Sequence, residues 1–202
     1  VSTDIGALAM AHLQSRDPLP ADAGRRLLPL ARGAIAEQIG LPAAAVADAP
    51  WLHARGAAFV TLTLAGALRG CIGTLEAHRA LIDDVRANAV AAAFRDPRFK
   101  PLTAEEFART LIEVSVLSAV TPLSWRDEAE ALAQLRPGID GVIFEYGHHR
   151  STFLPQVWEE FPEPKAFLGH LKYKGGLPPD FWDPAVKLSR YTVAKWREDN
   201  NG

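Results

Sequence analysis

Leu68-Arg69-Gly70-Cys71-Ile72-Gly73-Thr74 decides how this chain reads. The stretch holds the single cysteine of the protein, between two glycines and directly after an arginine. Before it, Phe59 to Leu64 carry the β-branched and aromatic residues of a strand, Ala65-Gly66 reads as a tight turn, and Ala67 to Ile72 return as a second strand. After it, Arg79 to Phe94 form a long helix whose apolar side is rich in alanine and suited to close packing on a sheet. A strand end, glycines and a helix start bring backbone N–H groups together, so a site is expected here.

Outward from this hairpin the elements alternate. A helix is expected from Ala21 or Asp22 to Ile39, with Leu27, Leu28, Ala31, Ala34 and Ile35 at helical spacing and Gly40 at its end. Pro29 inside it predicts a late start or a kink. Residues 41–56 read as connection. Thr103 and Glu106 make a capping box for a short helix, and Leu111 to Ser118 alternate as a strand. Asp127 to Leu135 give another helix, Gly138 to Tyr146 a strand, Gly147-His148-His149 a turn, and Arg150 to Leu154 a returning strand. Pro155 and Pro164 each open a helix, and Val186 to Trp196 read as one last strand. Asp4 caps a short helix over Ile5–Gln14, which Asp17-Pro18-Leu19-Pro20 cuts off from the rest. Hairpins interspersed with helices predict an α+β fold with a mainly antiparallel sheet, residues 21–202 forming one domain behind an N-terminal extension over 1–20.

The bulk numbers suit that reading. The 202 residues are 48% hydrophobic and 23% charged, enough to bury a core without disulfides. A net charge of −2 gives no field to gather nucleic acid or anionic membrane. One cysteine excludes an intrachain disulfide and an all-cysteine metal site. No apolar run approaches the ~18 residues of a membrane span, and no signal-peptide pattern opens the sequence, so a cytoplasmic location is the default expectation.

Cys71 has two readings. With Arg69 beside it, it is a nucleophile or redox-sensitive thiol, and the amides near Gly70 and Gly73 form an anion-binding nest. Without such help it is a small buried hydrophobe at a strand end. Asp96-Pro97-Arg98-Phe99 is a second candidate, a proline-stiffened loop presenting a carboxylate and a guanidinium. Glu113 shares a strand face with Ser115 and is a general acid or base if that face lines a cleft. His148-His149 lacks ligand spacing, as do His12, His53, His78 and His170, so no metal is expected; a Cys71–His78 pair has only a weak signal. Lys187, Arg190, Lys195 and Arg197, interleaved with Tyr191 and Trp196, have the composition of a single-strand nucleic-acid surface, but the acidic residues nearby favour a solvated face.

Several further blocks accompany the hallmark: Ala58 to Leu62, Asn88 to Phe94, Asp96 to Phe99, Ile112 to Leu117, Gly138 to Val142, Thr152 to Trp158, Lys174 to Leu177 and Arg190-Tyr191. Together they resemble the AMMECR domain family, and within it the bacterial and archaeal branch known as AmmeMemoRadiSam system protein A. Gly175 and Ser151 depart from the family pattern, both by small residues. The resemblance implies a larger and a smaller lobe, a groove beside the signature strand, and partnership with a Memo-like and a radical S-adenosylmethionine protein. It names no cofactor. It leaves two expectations. One is a site where Arg69 and Arg98 clamp a small anionic group, Gly70, Gly73 and Phe99 shape its walls, Cys71 attacks and Glu113 moves a proton. The other is a non-catalytic interaction module anchored by exposed aromatics such as Phe99, Trp158 or Trp182.

Overall fold

The computed structural model describes residues 19–199, so the helix expected over Ile5–Gln14 lies outside them. The elements in order are α1 (Gly24–Gln38), α2 (Pro50–His53), β1 (Arg55–Gly56), β2 (Ala58–Leu64), β3 (Ala67–Gly73), β4 (Arg79–Ala80), α3 (Leu81–Phe94), α4 (Ala104–Phe107) and β5 (Thr110–Leu117). Then come β6 (Thr121–Pro122), α5 (Glu128–Ala133), β7 (Gly141–Tyr146), β8 (His149–Phe153), a 3₁₀ turn (Pro155–Glu159), α6 (Pro164–Lys174), β9 (Lys187–Tyr191) and β10 (Val193–Arg197). The α+β expectation holds, with two four-stranded sheets in place of one, ordered β10-β5-β2-β3 and β6-β9-β7-β8. Among the described residues the chain divides into two compact units. One runs to Leu117 and resumes at Ala194; the other is Ser118–Val193.

The larger unit buries one face of the first sheet. Val60 and Leu62 of β2 and Ile112 and Val114 of β5 pack with Leu27, Ala31 and Ile35 of α1 and Val85, Ala89 and Ala92 of α3 in one core. The opposite residues of the same strands, Phe59, Thr61, Thr63 and Glu113, remain partly exposed. The hairpin turns on Ala65 (φ 52°) and Gly66 (φ 81°), the paired positive φ of a two-residue type I′ turn. Thr103 and Glu106 complete both bonds of the expected capping box. Helix α1 runs through Pro29 without ending there. It closes in a Schellman motif: Leu41 N–H donates to Ala36 C=O and Gly40, at φ 73°, donates to Glu37 C=O. The expected connection over 41–56 contains the short α2 and β1.

The smaller unit packs Val142, Phe144 and Leu188 with Trp158, Phe167, Leu168 and Leu171. Trp158 stacks on Phe167 at 3.7 Å and donates its indole N–H to the Asp140 carbonyl. It is therefore buried and not an exposed anchor, which corrects the sequence reading. Trp182 is half-buried, 4.7 Å from Trp125. His149 belongs to β8, where its Nδ1 pairs with the Gly175 carbonyl, so the turn is Gly147-His148.

The expected last strand is the largest correction. Val186–Trp196 is two strands, β9 and β10, broken at Thr192 and belonging to different sheets. Thr192 N–H donates to the Ser118 hydroxyl and its carbonyl accepts from Ser118 N–H, so both of its peptide groups are taken by the residue that follows β5. The apolar positions change phase here, from Val186 and Leu188 to Tyr191 and Val193, a shift that the reading of one strand passed over.

Candidate functional site

β3 lies at the edge of its sheet, and its signature residues are held from three directions. The first hold is on the outer edge. Cys71 N–H donates to Asp96 Oδ2 at 2.9 Å, and the Cys71 carbonyl accepts from Arg98 Nη2 at 3.2 Å. A carboxylate and a guanidinium thus do what a neighbouring strand would do. Asp96 is 4% exposed and also accepts from Arg98 N–H (3.1 Å), Nε (2.9 Å) and Nη2 (2.7 Å). The Arg98 guanidinium, followed by the Cys71 and Arg98 amides, holds the Asp96 carboxyl well below the usual carboxylate range against the opposing effect of burial. The Asp96–Arg98 amide bond is an Asx turn, which is why Pro97 fits between them.

The second hold is Arg69. Its Nε and Nη2 donate to the two Glu106 oxygens at 3.1 and 2.9 Å, and Nη2 also donates to the Lys100 carbonyl at 2.9 Å. The guanidinium assigned to an anion by sequence is therefore taken up by α4 and the loop before it. Its side chain is 12% exposed, with Nη1 buried and unpaired and the Phe99 ring 5.8 Å away. Arg98 lies 5.5 Å from the same ring, so Phe99 serves both arginines. Glu106 is pulled below its ordinary value by Arg69 first and the Thr103 amide second. Arg69→Lys removes the planar fork and is expected to lower stability by about 1–2 kcal/mol. Chemical denaturation measures it, and an unchanged midpoint would show the fork to be dispensable.

The third hold is at the strand exit. Buried Asp84 of α3 accepts from Ala58 N–H (2.8 Å), the Thr74 hydroxyl, Asn88 Nδ2 (3.0 Å) and Arg79 Nε (2.8 Å). Thr74 is thereby tied to the helix that follows it.

Neither Gly70 nor Gly73 has a positive φ, so the expected nest is not formed through left-handed glycines. Their need for glycine comes from contact. A Cβ on Gly70 would stand 2.1 Å from the Ala92 carbonyl oxygen of α3, and one on Gly73 would stand 2.2 Å from the Phe59 ring.

On the open face the register sets a row of polar side chains. Thr61 of β2 is the cross-strand partner of both Cys71 and Glu113. The Cys71 peptide groups point outward to Asp96 and Arg98, so Thr61 and Cys71 are a non-hydrogen-bonded pair, whose side chains approach most closely. Accordingly the Thr61 hydroxyl donates to Cys71 Sγ at 3.3 Å. The row continues to β10. Glu198 N–H donates to the Ile112 carbonyl and Ser118 N–H to the Thr192 carbonyl, an antiparallel register that sets Arg197 opposite Glu113. Arg197 Nη2 donates to the Thr63 hydroxyl at 3.2 Å. Sequence reasoning missed Thr61 and Asp96 as the clamp of the strand edge, and it set Arg197 aside with Lys195 as part of a solvated face. Only the Asp96-Pro97-Arg98 turn carried a signal.

Elsewhere in the larger unit, an apolar groove of about 720 Å³ runs along α1, lined by Leu28, Pro29, Leu41, Pro42 and Phe107. No signature residue lines it. Among the described residues no three His, Cys, Asp or Glu side chains come together as metal ligands, and no helix is long and apolar enough to cross a membrane.

Known proteins share this architecture and sequence. A protein of Methanothermobacter thermautotrophicus is 40% identical over 191 residues, covering 90% of this chain and 97% of its own. One from Sulfolobus acidocaldarius is 36% identical over 202 residues, covering 96% and 89%. The crystal structure of uncharacterised protein PH0010 from Pyrococcus horikoshii matches with a TM-score of 0.74 and 33% identity, over 90% of this chain and 94% of that one. The AMMECR1 family model matches residues 28–196. With the signature strand, the fold and its relatives in agreement over most of its length, the chain belongs to the AMMECR1 family.

Proposed function

We propose that the open face around Cys71 binds a small anionic molecule and that the Cys71 thiol reacts with it. The supporting observation is the Thr61 hydroxyl donating to Sγ at 3.3 Å while Asp96 and Arg98 fix the Cys71 peptide. The hydroxyl fixes the position of the sulfur, the nucleophilic atom, on this face. Glu113 stands beyond Thr61, about 10 Å from Cys71 across two strand spacings. It therefore serves a proton on the bound molecule and not the thiol proton. Arg98 holds both Asp96 and the Cys71 carbonyl and so fixes the strand edge beside the thiol.

Alkylation tests this. Native protein treated with iodoacetamide is expected to gain one adduct, at Cys71, and Thr61→Val is expected to slow the reaction about three- to tenfold at neutral pH. A thiol that reacts only after denaturation would end the proposal.

A second reading rests on a different observation. Leu68 and Leu75, 44% and 41% exposed, stand on either side of the signature glycines. They suit a module that docks a protein such as a Memo-like or radical S-adenosylmethionine partner. Capture of such a partner that survives Cys71→Ala and fails in Leu68→Asp would select this reading.

A further inference from the structure

We infer that Arg197, with the Thr63 hydroxyl, is the anion-binding point of the Cys71 face. The ligand class is a small molecule carrying a carboxylate or phosphate at a fixed distance from the atom that Cys71 attacks. This deepens the proposed function and rests on Cys71 being the reactive group.

Three observations lead to Arg197. Arg69 is held by both Glu106 oxygens and the Lys100 carbonyl, so its fork is not offered to a ligand. Arg98 spends Nε and Nη2 on Asp96 and the Cys71 carbonyl. Arg197 instead is exposed, projects from the same sheet face as Thr61 and Cys71, and touches a neutral hydroxyl through Nη2. Thr63 is two residues along β2 from Thr61 and one strand across from β3. Two residues of rise and one strand spacing put it about 8 Å from Cys71. A ligand bridging the two therefore holds its anionic group several ångströms from its reacting atom. Glu113 faces Arg197 across the β5–β10 pair, and Lys195 is the next residue of β10 on that face. Glu113 opposes anion binding, and its charge makes the face dipolar.

Two thiol reagents that differ in charge read this out. 2-Sulfonatoethyl methanethiosulfonate is anionic, with its sulfonate two carbons from the sulfur attacked; the 2-trimethylammonioethyl analogue is cationic. In each, the Cys71 thiolate attacks the sulfenyl sulfur, a disulfide forms, and methanesulfinate departs with the bonding electron pair. The rate ratio, anionic over cationic, is expected to fall about fivefold in Arg197→Gln and to rise in Glu113→Gln. Lys195→Gln is expected to leave it nearly unchanged. A ratio insensitive to both Arg197→Gln and Glu113→Gln, or lowered equally by Lys195→Gln, overturns the assignment while Cys71 reactivity stands. A native Cys71 inert to both reagents overturns the assignment together with the reading beneath it. Glu113→Gln keeps the question decided if Arg197→Gln fails to fold.

Discussion

A Gly70→Ala variant is expected to lose about 3 kcal/mol of stability, a fall of roughly 6–12 °C in Tm. The added methyl would meet the Ala92 carbonyl oxygen at 2.1 Å and its carbon at 3.0 Å. Both atoms belong to the backbone of α3, so no rotamer change relieves the clash; the strand or the helix must move. The strand is clamped at Cys71 by Asp96 and Arg98, and the helix is tied through Asp84 to Ala58 and Thr74. Gly73→Ala serves as the contrast. There the methyl meets Cγ of the Phe59 ring at 2.2 Å, so the whole ring must change rotamer but no backbone atom is struck. Denaturant titration of the two variants is expected to place Gly70→Ala well below Gly73→Ala. Equal losses would mean that α3 yields as easily as a phenyl ring.

Asp96→Asn carries the second large effect, a loss of about 2–3 kcal/mol at neutral pH. The amide of asparagine has one acceptor where four donors converge, and its NH₂ is turned against a backbone N–H or a guanidinium. The pH dependence has a definite sign. The folded Asp96 carboxyl titrates far below the ~3.9 of an unfolded aspartate. Its contribution is therefore complete above that unfolded value and is lost as pH falls through the folded one. Wild type and Asp96→Asn are expected to differ most near neutrality and to converge below about pH 4. Unfolding midpoints at pH 3, 4, 5 and 7 measure this. A constant gap across that range would show that the charge of Asp96 does nothing for the fold.

Much of this was legible locally. The Ala65-Gly66 turn, the Thr103–Glu106 box and the alternation of Ile112 to Val116 depend on residues a few positions apart, and each appears as expected. What was not legible depends on partners far along the chain. Arg69 reads as a free cation until Glu106 is brought to it, 37 residues on. Gly70 reads as an opening for a ligand until α3 fills the space. Arg197 belongs to the Cys71 row only because the chain changes sheets at Thr192, and local spacing does not say which strand β10 will join. The family blocks pointed to β3 and left the partners of its arginines to the tertiary structure.

The return of the chain to its first sheet has a consequence in time. Trp196 covers Gly24, where a methyl would stand 2.5 Å from the indole, and Glu198 grips Arg32 at 2.6 and 2.5 Å and the Ile112 amide at 2.8 Å. These residues follow the whole of Ser118–Val193, so about 75 residues are synthesised between β5 and its partner β10. At ~5–20 residues per second the nascent sheet waits several seconds with the β5 edge unpaired. The second unit, continuous in sequence, can fold during that interval. The larger unit is begun first and finished last, and its β5 edge stays unpaired until β10 has been made.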